Sequence, residues 1–284
     1  MPNACVVLNG KEIASSYLAN LAKEIAELRA SGEVLSLATV RVGEADACRL
    51  YEKSIENLLK KVGVRHLSAV FSENVEEREL YRHLEKMNAD PEVTGIMIFS
   101  PLPKQFRLEA LLNAVNILKE VEGRRLLHAS KNRVAPPTAL AAVALFEATG
   151  WDATGKTALI IGRSGIVGKP AALLMLDKNA TVTIAHSKTK DLNVHVGRAD
   201  IVIASIGKPE FIKGDWIKPG AVVVDVGENM VGGKPVGDIE FEKAKGRAAF
   251  ISPVPGGVGP VTRVMLVRNL VALSKLQSID HEHS

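Results

Sequence analysis

At 284 residues the chain is long enough for two domains that each bury a core. Its 46% hydrophobic and 24% charged residues describe a folded globular protein and exclude a disordered or fibrous one. The net charge of +4 is spread along the chain rather than gathered into a basic arm, which gives no case for nucleic acid.

The two cysteines, Cys5 and Cys48, lack the number and spacing of a disulfide framework or a zinc site, so no metal is expected. No apolar stretch reaches the roughly 18 residues of a membrane span, and no basic segment leads into an apolar signal core. The expected location is the cytoplasm. The polar tail Asp280–Ser284 is assigned no role.

Apolar runs alternate with segments of helical period, the pattern of an α/β fold with a parallel sheet flanked by helices. In the first half, helices are expected at Ala14–Ala30, Ala45–Val62 and Val75–Asn88, and strands at Val34–Val42, Val64–Phe71 and Gly95–Phe99. From Glu122 to Arg133 the pattern breaks into a polar, basic stretch that ends at Pro136-Pro137, and the domain boundary is placed just after it. The second half opens on a linking helix, Pro137–Thr149. Strands are expected at Thr157–Gly162, Thr181–His186, Ile201–Ser205 and Ala221–Val226, with a helix at Gly165–Lys178. A last helix, Arg263–Lys275, is expected to return to the first domain.

The strand Thr157–Gly162 runs into Arg163-Ser-Gly-Ile-Val-Gly-Lys-Pro170 and then a helix. Glycines at 162, 165 and 168 let backbone N–H groups and a helix N-terminus approach a pyrophosphate closely, as in a Rossmann-type domain. The next strand ends at His186-Ser-Lys-Thr-Lys190, without the Asp or Glu that accepts from the ribose 2′-OH of NAD. Ser187, Lys188 and Lys190 offer donors instead, and Arg163 could add a charged fork to a 2′-phosphate, which favours NADP. Lys188 and Lys190 read equally well as a solvated face.

On these residues, and on Gly207-Lys-Pro, Gly214-Asp-Trp-Ile-Lys-Pro219, Val224-Asp-Val-Gly227 and Pro253-Val-Pro-Gly-Gly-Val-Gly-Pro260 with Thr262, the chain resembles the methylenetetrahydrofolate dehydrogenase/cyclohydrolase enzymes of the bacterial FolD type. Val42-Gly43, Tyr51, Gly63 and Pro101-Leu-Pro-Lys104 keep the family's spacing in the first half. The resemblance implies a folate-binding substrate domain, residues 1–137 with 265–284, and an NADP-binding domain, residues 138–264. It implies hydride transfer from the methylene carbon of 5,10-methylenetetrahydrofolate to the nicotinamide, and a homodimer formed by the nucleotide domain. Tyr51 would stack on the pterin. Glu122, where the family has Asp, would accept from the amino-pyrimidine edge, and the nucleotide turn would face a cleft holding both. Phe99, Pro101, Leu102, Pro255, Gly256 and Gly259 would line the substrate site. Gly162, Arg163, Ser164, Ile166, Val167, Gly168, Ser187, Ile206, Gly207 and Glu228 would meet the cofactor.

Two departures bear on activity. The family's catalytic Lys, one helical turn after the Tyr, is Ile55, and its Gln partner is Phe99; neither side chain donates or accepts. Lys53 falls on roughly the opposite helix face. Cys48 replaces a Ser, and Arg124 stands where an aromatic is usual. The expected function is therefore the dehydrogenase without the cyclohydrolase step. A dehydrogenase for another pterin carrier and a non-catalytic NADP- or folate-binding paralogue are the alternatives.

Overall fold

A computed structural model describes residues 4–125 and 134–282, with side chains through residue 279. Most of the basic stretch before Pro136 and the side chains of the histidine-bearing tail lie outside the described residues. In chain order the elements begin with β1 (Val6–Val7), α1 (Gly10–Ala30), β2 (Ser36–Val42), α2 (Asp46–Val62), β3 (Arg65–Phe71), α3 (Glu77–Ala89), β4 (Gly95–Ile98) and α4 (Leu108–Ala114). They continue with α5 (Pro137–Glu147), β5 (Thr157–Ile161), α6 (Gly168–Leu176), β6 (Thr181–Ala185), α7 (Leu192–Arg198), β7 (Ile201–Ala204) and β8 (Val222–Asp225). Last come the hairpin β9 (Asn229–Val231) and β10 (Lys234–Val236), α8 (Phe241–Lys245), β11 (Phe250–Ile251) and α9 (Val258–Glu282).

The chain divides into two compact units, residues 1–17 with 135–265 and residues 18–134 with 266–284. The first holds a six-stranded sheet in the order β1-β11-β8-β7-β5-β6, parallel throughout. Every residue of β7 and β8 is buried, as expected of strands covered on both faces. The first residues join this unit because β1 adds to its sheet, Val6 opposite Phe250. The expected linking helix, α5, also belongs here, with Ala139–Phe146 buried throughout.

The second unit holds a three-stranded parallel sheet, β3-β2-β4. The period of two along β2 sends Ala38, Val40 and Val42 into one apolar cluster with Leu80 and Leu84 of α3 and Leu111 and Leu112 of α4. Thr39 and Arg41 alternate with them and meet α2. That helix buries Cys48, Glu52, Ile55, Leu59 and Val62 at three- and four-residue spacing and ends at Gly63, whose φ of 75° suits a left-handed cap. The expected return of the last helix is observed: in α9, Asn269 donates to the Val121 carbonyl (2.9 Å) and Gln277 to those of Thr94 (2.8 Å) and Leu118 (2.7 Å).

Three helices start elsewhere than expected, and the first of them, α1, already begins at Gly10 rather than Ala14. Gly165–Val167 form a turn, so α6 begins at Gly168. The helix expected from Arg263 already begins at Val258, because Pro260 falls in its first turn, where a missing N–H costs nothing.

A buried ion pair fixes α2 on its sheet. Glu52 Oε1 accepts from the Thr39 and Ser68 hydroxyls, each at 2.7 Å, and Oε2 accepts from Arg41 Nε at 3.0 Å. Thr39 and Ser68 are register partners on adjacent strands. Burial pushes the Glu52 carboxyl up, but hydrogen bonds from Ser68, Thr39 and Arg41 outweigh it and hold the group below its ordinary 4.5. A lowered folded value means stability that is present above 4.5 and is lost as pH falls through the folded value. Arg41→Ala leaves this carboxylate without its cation and should cost about 3–5 kcal/mol, read as a lower urea midpoint at neutral pH.

Candidate active site

In the unit formed by residues 18–134 and 266–284, α2 carries Tyr51 half-buried beside its buried face. The Tyr51 ring meets Phe99 edge to face, with centroids 6.1 Å apart and planes at 89°. Phe99 follows β4, and its N–H donates to the Val40 carbonyl at 2.9 Å. Ile55 is 1% exposed and Phe99 3%, so both side chains are sealed among their neighbours. Lys53 is exposed, as the helix period requires. The Cys48 thiol donates to the Ser100 carbonyl (3.4 Å); Pro101 is exposed and Leu102 half-buried.

Residues 119–121 run alongside β4, with the Ile96 N–H donating to the Lys119 carbonyl at 2.6 Å. The buried Glu120 carboxylate accepts the N–H groups of Glu122 (3.0 Å) and Arg124 (2.8 Å), so one side chain shapes the turn from which both residues project. Arg124 Nη2 donates to Glu122 Oε1 at 2.8 Å. Glu122 Oε2 is buried and has no partner among the described residues. Burial pushes the Glu122 carboxyl up, against the opposing charge and hydrogen bond of Arg124.

In the other unit, β5 leads into the glycine turn. Gly162 has φ 125°, and a Cβ there would strike the Ser205 carbonyl; a Cβ on Gly168 would strike the carbonyl of Gly162. These contacts admit only glycine and bring α6 hard against the turn. Ser164 Oγ accepts from the N–H groups of Val167 (3.1 Å) and Gly168 (3.4 Å). Arg163 and Ile166 are exposed on the turn, and Val167 is buried under it. After β6, the His186 N–H donates to Thr189 Oγ1 at 2.9 Å and the Thr189 N–H returns to the His186 carbonyl at 2.8 Å, a tight turn that leaves Ser187 and Lys188 exposed. The strand order reverses between β5 and β7, which marks the crevice where open α/β sheets take ligands.

Glu228 and Pro255 are exposed. Gly256, at φ 102°, accepts the Gly10 N–H at 2.9 Å, and no atom would crowd a Cβ at Gly256 or Gly259. The Ile206–Lys208 loop hangs on a buried carboxylate: Asp238 Oδ2 accepts from Ile206 (2.6 Å) and Gly207 (3.1 Å), and Oδ1 from Lys208 (2.8 Å). Next to it, Asp225 accepts the N–H groups of Gly227 (2.9 Å), Asp238 (3.0 Å) and Ile239 (2.8 Å). The described residues hold no cluster of His, Cys, Asp and Glu suited to a metal, and no helix among them is long and apolar enough to cross a membrane.

Residues 8–122 match the catalytic domain of tetrahydrofolate dehydrogenase/cyclohydrolase, and residues 136–278 match its NAD(P)-binding domain. The chain belongs to the tetrahydrofolate dehydrogenase/cyclohydrolase family. A bifunctional FolD protein of Geobacter metallireducens is 42% identical over 95% of this chain and 96% of its own length. The crystal structure of the bifunctional FolD enzyme of Campylobacter jejuni superimposes with a TM-score of 0.92 at 34% identity, covering 96% of this chain and 100% of that one. The Trypanosoma brucei FolD structure, complexed with NADP cofactor and an inhibitor, gives 0.88 at 33% identity, covering 98% and 99%.

Within this family's two domains, sequence reasoning missed the groups that hold the site's backbone: Arg41, Glu52 and Glu120 in one unit and Asp238 in the other. The available signal was an Asp beside Gly in Val236-Gly-Asp-Ile239 and a charge inside an apolar strand at Arg41. Asp225 yields a pH test. Burial pushes it up to about 7 from the ordinary 3.8, with the Asp238 charge adding to the push and three N–H donors opposing it. A carboxyl raised in this way gives stability that is full below 3.8 and is lost as pH rises through about 7. Asp225→Asn should therefore flatten the fall in melting temperature between about pH 5 and pH 8, whatever its effect on the absolute value.

Proposed function

We propose that this chain is an NADP-dependent 5,10-methylenetetrahydrofolate dehydrogenase that does not hydrolyse the methenyl product, acting as a cytoplasmic homodimer. The observation that carries the reading is the sealed apolar pair at Ile55 and Phe99, in a chain whose nucleotide turn keeps all its glycines. The cradle at Gly162 and Gly168, where any Cβ would collide, fits a pyrophosphate. Bound NADP supplies a hydride acceptor, so that the methylene C–H electron pair passes to C4 of the nicotinamide and the folate is left as the methenyl cation.

The chain's own residues align rather than exchange protons. Tyr51 stacks on the pterin, and the unpartnered Oε2 of Glu122 accepts from its amino-pyrimidine edge. Arg163 and Ser187 hold the 2′-phosphate, and the glycine backbone at Gly256 and Gly259 gives close approach to substrate. Ring opening needs water delivered and protons moved as a C–N bond breaks, and Ile55 and Phe99 do neither. They also keep water away from the methenyl carbon. The relatives are named bifunctional, so this reading departs from them at these two positions. A dehydrogenase for a different pterin carrier is the second reading, favoured by Arg124 occupying one of the two Glu122 oxygens. Assays with several carriers separate the two. The homodimer is supported by the exposed apolar side chains Leu173, Leu176 and Ile184 around the edge strand β6, and sedimentation equilibrium tests it.

With methylenetetrahydrofolate and NADP, reduced cofactor should accumulate while the methenyl chromophore decays no faster than in buffer; enzyme-dependent decay overturns the reading. The double change Ile55→Lys with Phe99→Gln should introduce measurable hydrolysis, since a positioned acid–base group is worth about 10²- to 10⁴-fold. NADP should bind more tightly than NAD by about one to two decades, and Arg163→Ala should narrow that difference.

A further inference from the structure

Glu122 and Arg124 meet across one tight turn. Gly123 between them stands at φ 60°, a left-handed position, and the buried Glu120 carboxylate accepts the N–H groups of both flanking residues. Their side chains then pair, Arg124 Nη2 donating to Glu122 Oε1 at 2.8 Å, with the carboxylate side chain 11% exposed and the guanidinium side chain 18%. Arg125, next along the chain, is engaged instead with the Val115 carbonyl at 2.7 Å.

A bare carboxylate offers two equivalent oxygens and is met best by two parallel N–H donors. Glu122 offers something else. Its Oε1 is taken by a cationic donor, while Oε2 is buried and has no partner among the described residues. A guanidinium is a planar fork of N–H donors with no acceptor. Apart from Glu122, no acceptor among the described residues meets the fork of Arg124. The pair therefore presents one acceptor beside one donor. A ligand edge made of two donors would aim one of them at the guanidinium, whereas a donor followed by an acceptor satisfies both side chains.

A pterin ring carries both kinds of edge: its 2-amino group and N3–H are two donors, and its N3–H and C4 carbonyl form a lactam. We propose that Arg124 is a specificity-determining residue that makes Glu122 read the lactam edge, with N3–H donating to Oε2 and the C4 carbonyl accepting from the Arg124 guanidinium. The 2-amino group then contributes little. The inference rests on the folate reading above and deepens it by naming the ring edge that is read.

Calorimetric titration of the full-length protein with tetrahydrofolate and with its 2-desamino-2-methyl analogue, which lacks the amino donor and keeps the lactam, tests the assignment. Mildly alkaline pH favours the ionised Glu122 carboxylate against the push of burial. The unaltered protein should bind the two ligands within about twofold of each other, the lower limit of what one hydrogen bond is worth. Arg124→Ala frees Oε1 for the amino group and should open a gap of about ten- to hundredfold in favour of tetrahydrofolate, the worth of a hydrogen bond to a charged acceptor. A gap of that size already present in the unaltered protein overturns the inference, and so does one that fails to open in Arg124→Ala. An equal loss of both ligands in the variant marks a purely structural role and also overturns it. If tetrahydrofolate does not bind the unaltered protein, the folate reading falls and takes this inference with it. Should Arg124→Ala not fold, Arg124→Met keeps an apolar stem without a donor and should open the same gap, and an unchanged gap there overturns the assignment.

Discussion

Where a parallel strand leaves its sheet, its backbone N–H groups lose their ladder partners, and buried carboxylates meet that constraint in both units. After β7 and β8, Asp238 and Asp225 take up the N–H groups of Ile206–Lys208, Gly227 and Ile239. Beside β4, Glu120 does the same for Glu122 and Arg124. The arrangement demands glycine next to each acid in the nucleotide unit: a Cβ on Gly227 would collide with the Asp238 carboxyl, and one on Gly237 with that of Asp225. Loops that look like punctuation in the sequence are thus fixed by side chains from elsewhere in the chain.

The same economy of polar groups decides what chemistry remains near Tyr51. Glu52, its neighbour on α2, is saturated by Thr39, Ser68 and Arg41 and held ionised. The neighbouring turns offer Ile55 and Phe99, without donors or acceptors, and Cys48, whose thiol is pushed up by burial and engaged with Ser100. Glu122 keeps one oxygen without a partner among the described residues. On the reading proposed above, residues so furnished would orient a flat polar ring and stack on it, with little means of moving protons. Hydride transfer asks for alignment, whereas hydrolysis asks for proton transfer, and the residues present favour the first.

The long buried strands and the amphipathic helices were legible because burial writes itself as period or as unbroken apolar runs. β2, β7 and α2 fall within two residues of where those patterns place them. Pairs such as β1 and β11, two residues each, carry no such pattern and exist only because a sheet edge receives them. The start of α9 was obscured by Pro and Gly that read as loop, although a first helical turn tolerates both. The glycine turn could be placed from motif and spacing. Asp238 left only its flanking glycine as a signal, since a lone Asp in a loop looks solvated, and the fold is what reveals three backbone donors pointing at it.

A lysine at residue 55 would also have to fit its own helix. Ile55 lies in the middle of the stripe Cys48, Glu52, Ile55, Leu59, Val62, all of it buried. Residues three apart on a helix are neighbours, so a lysine there would bring a second cation close to the Arg41–Glu52 pair, whose negative charge is already matched. Left among apolar atoms, that ammonium would lose its proton or force the stripe apart. It could remain charged only by reaching along α2 toward the half-buried Tyr51, carrying its head out of the core on an apolar stem. Phe99, edge-on to Tyr51, occupies the approach to that ring. Neither Phe99 nor Ile55 carries an acceptor or a charge that a polar residue at the other position could use. A lysine at 55 or a glutamine at 99 introduced alone would lack the polar partner that the other change would provide, which is the physical reason to change both together.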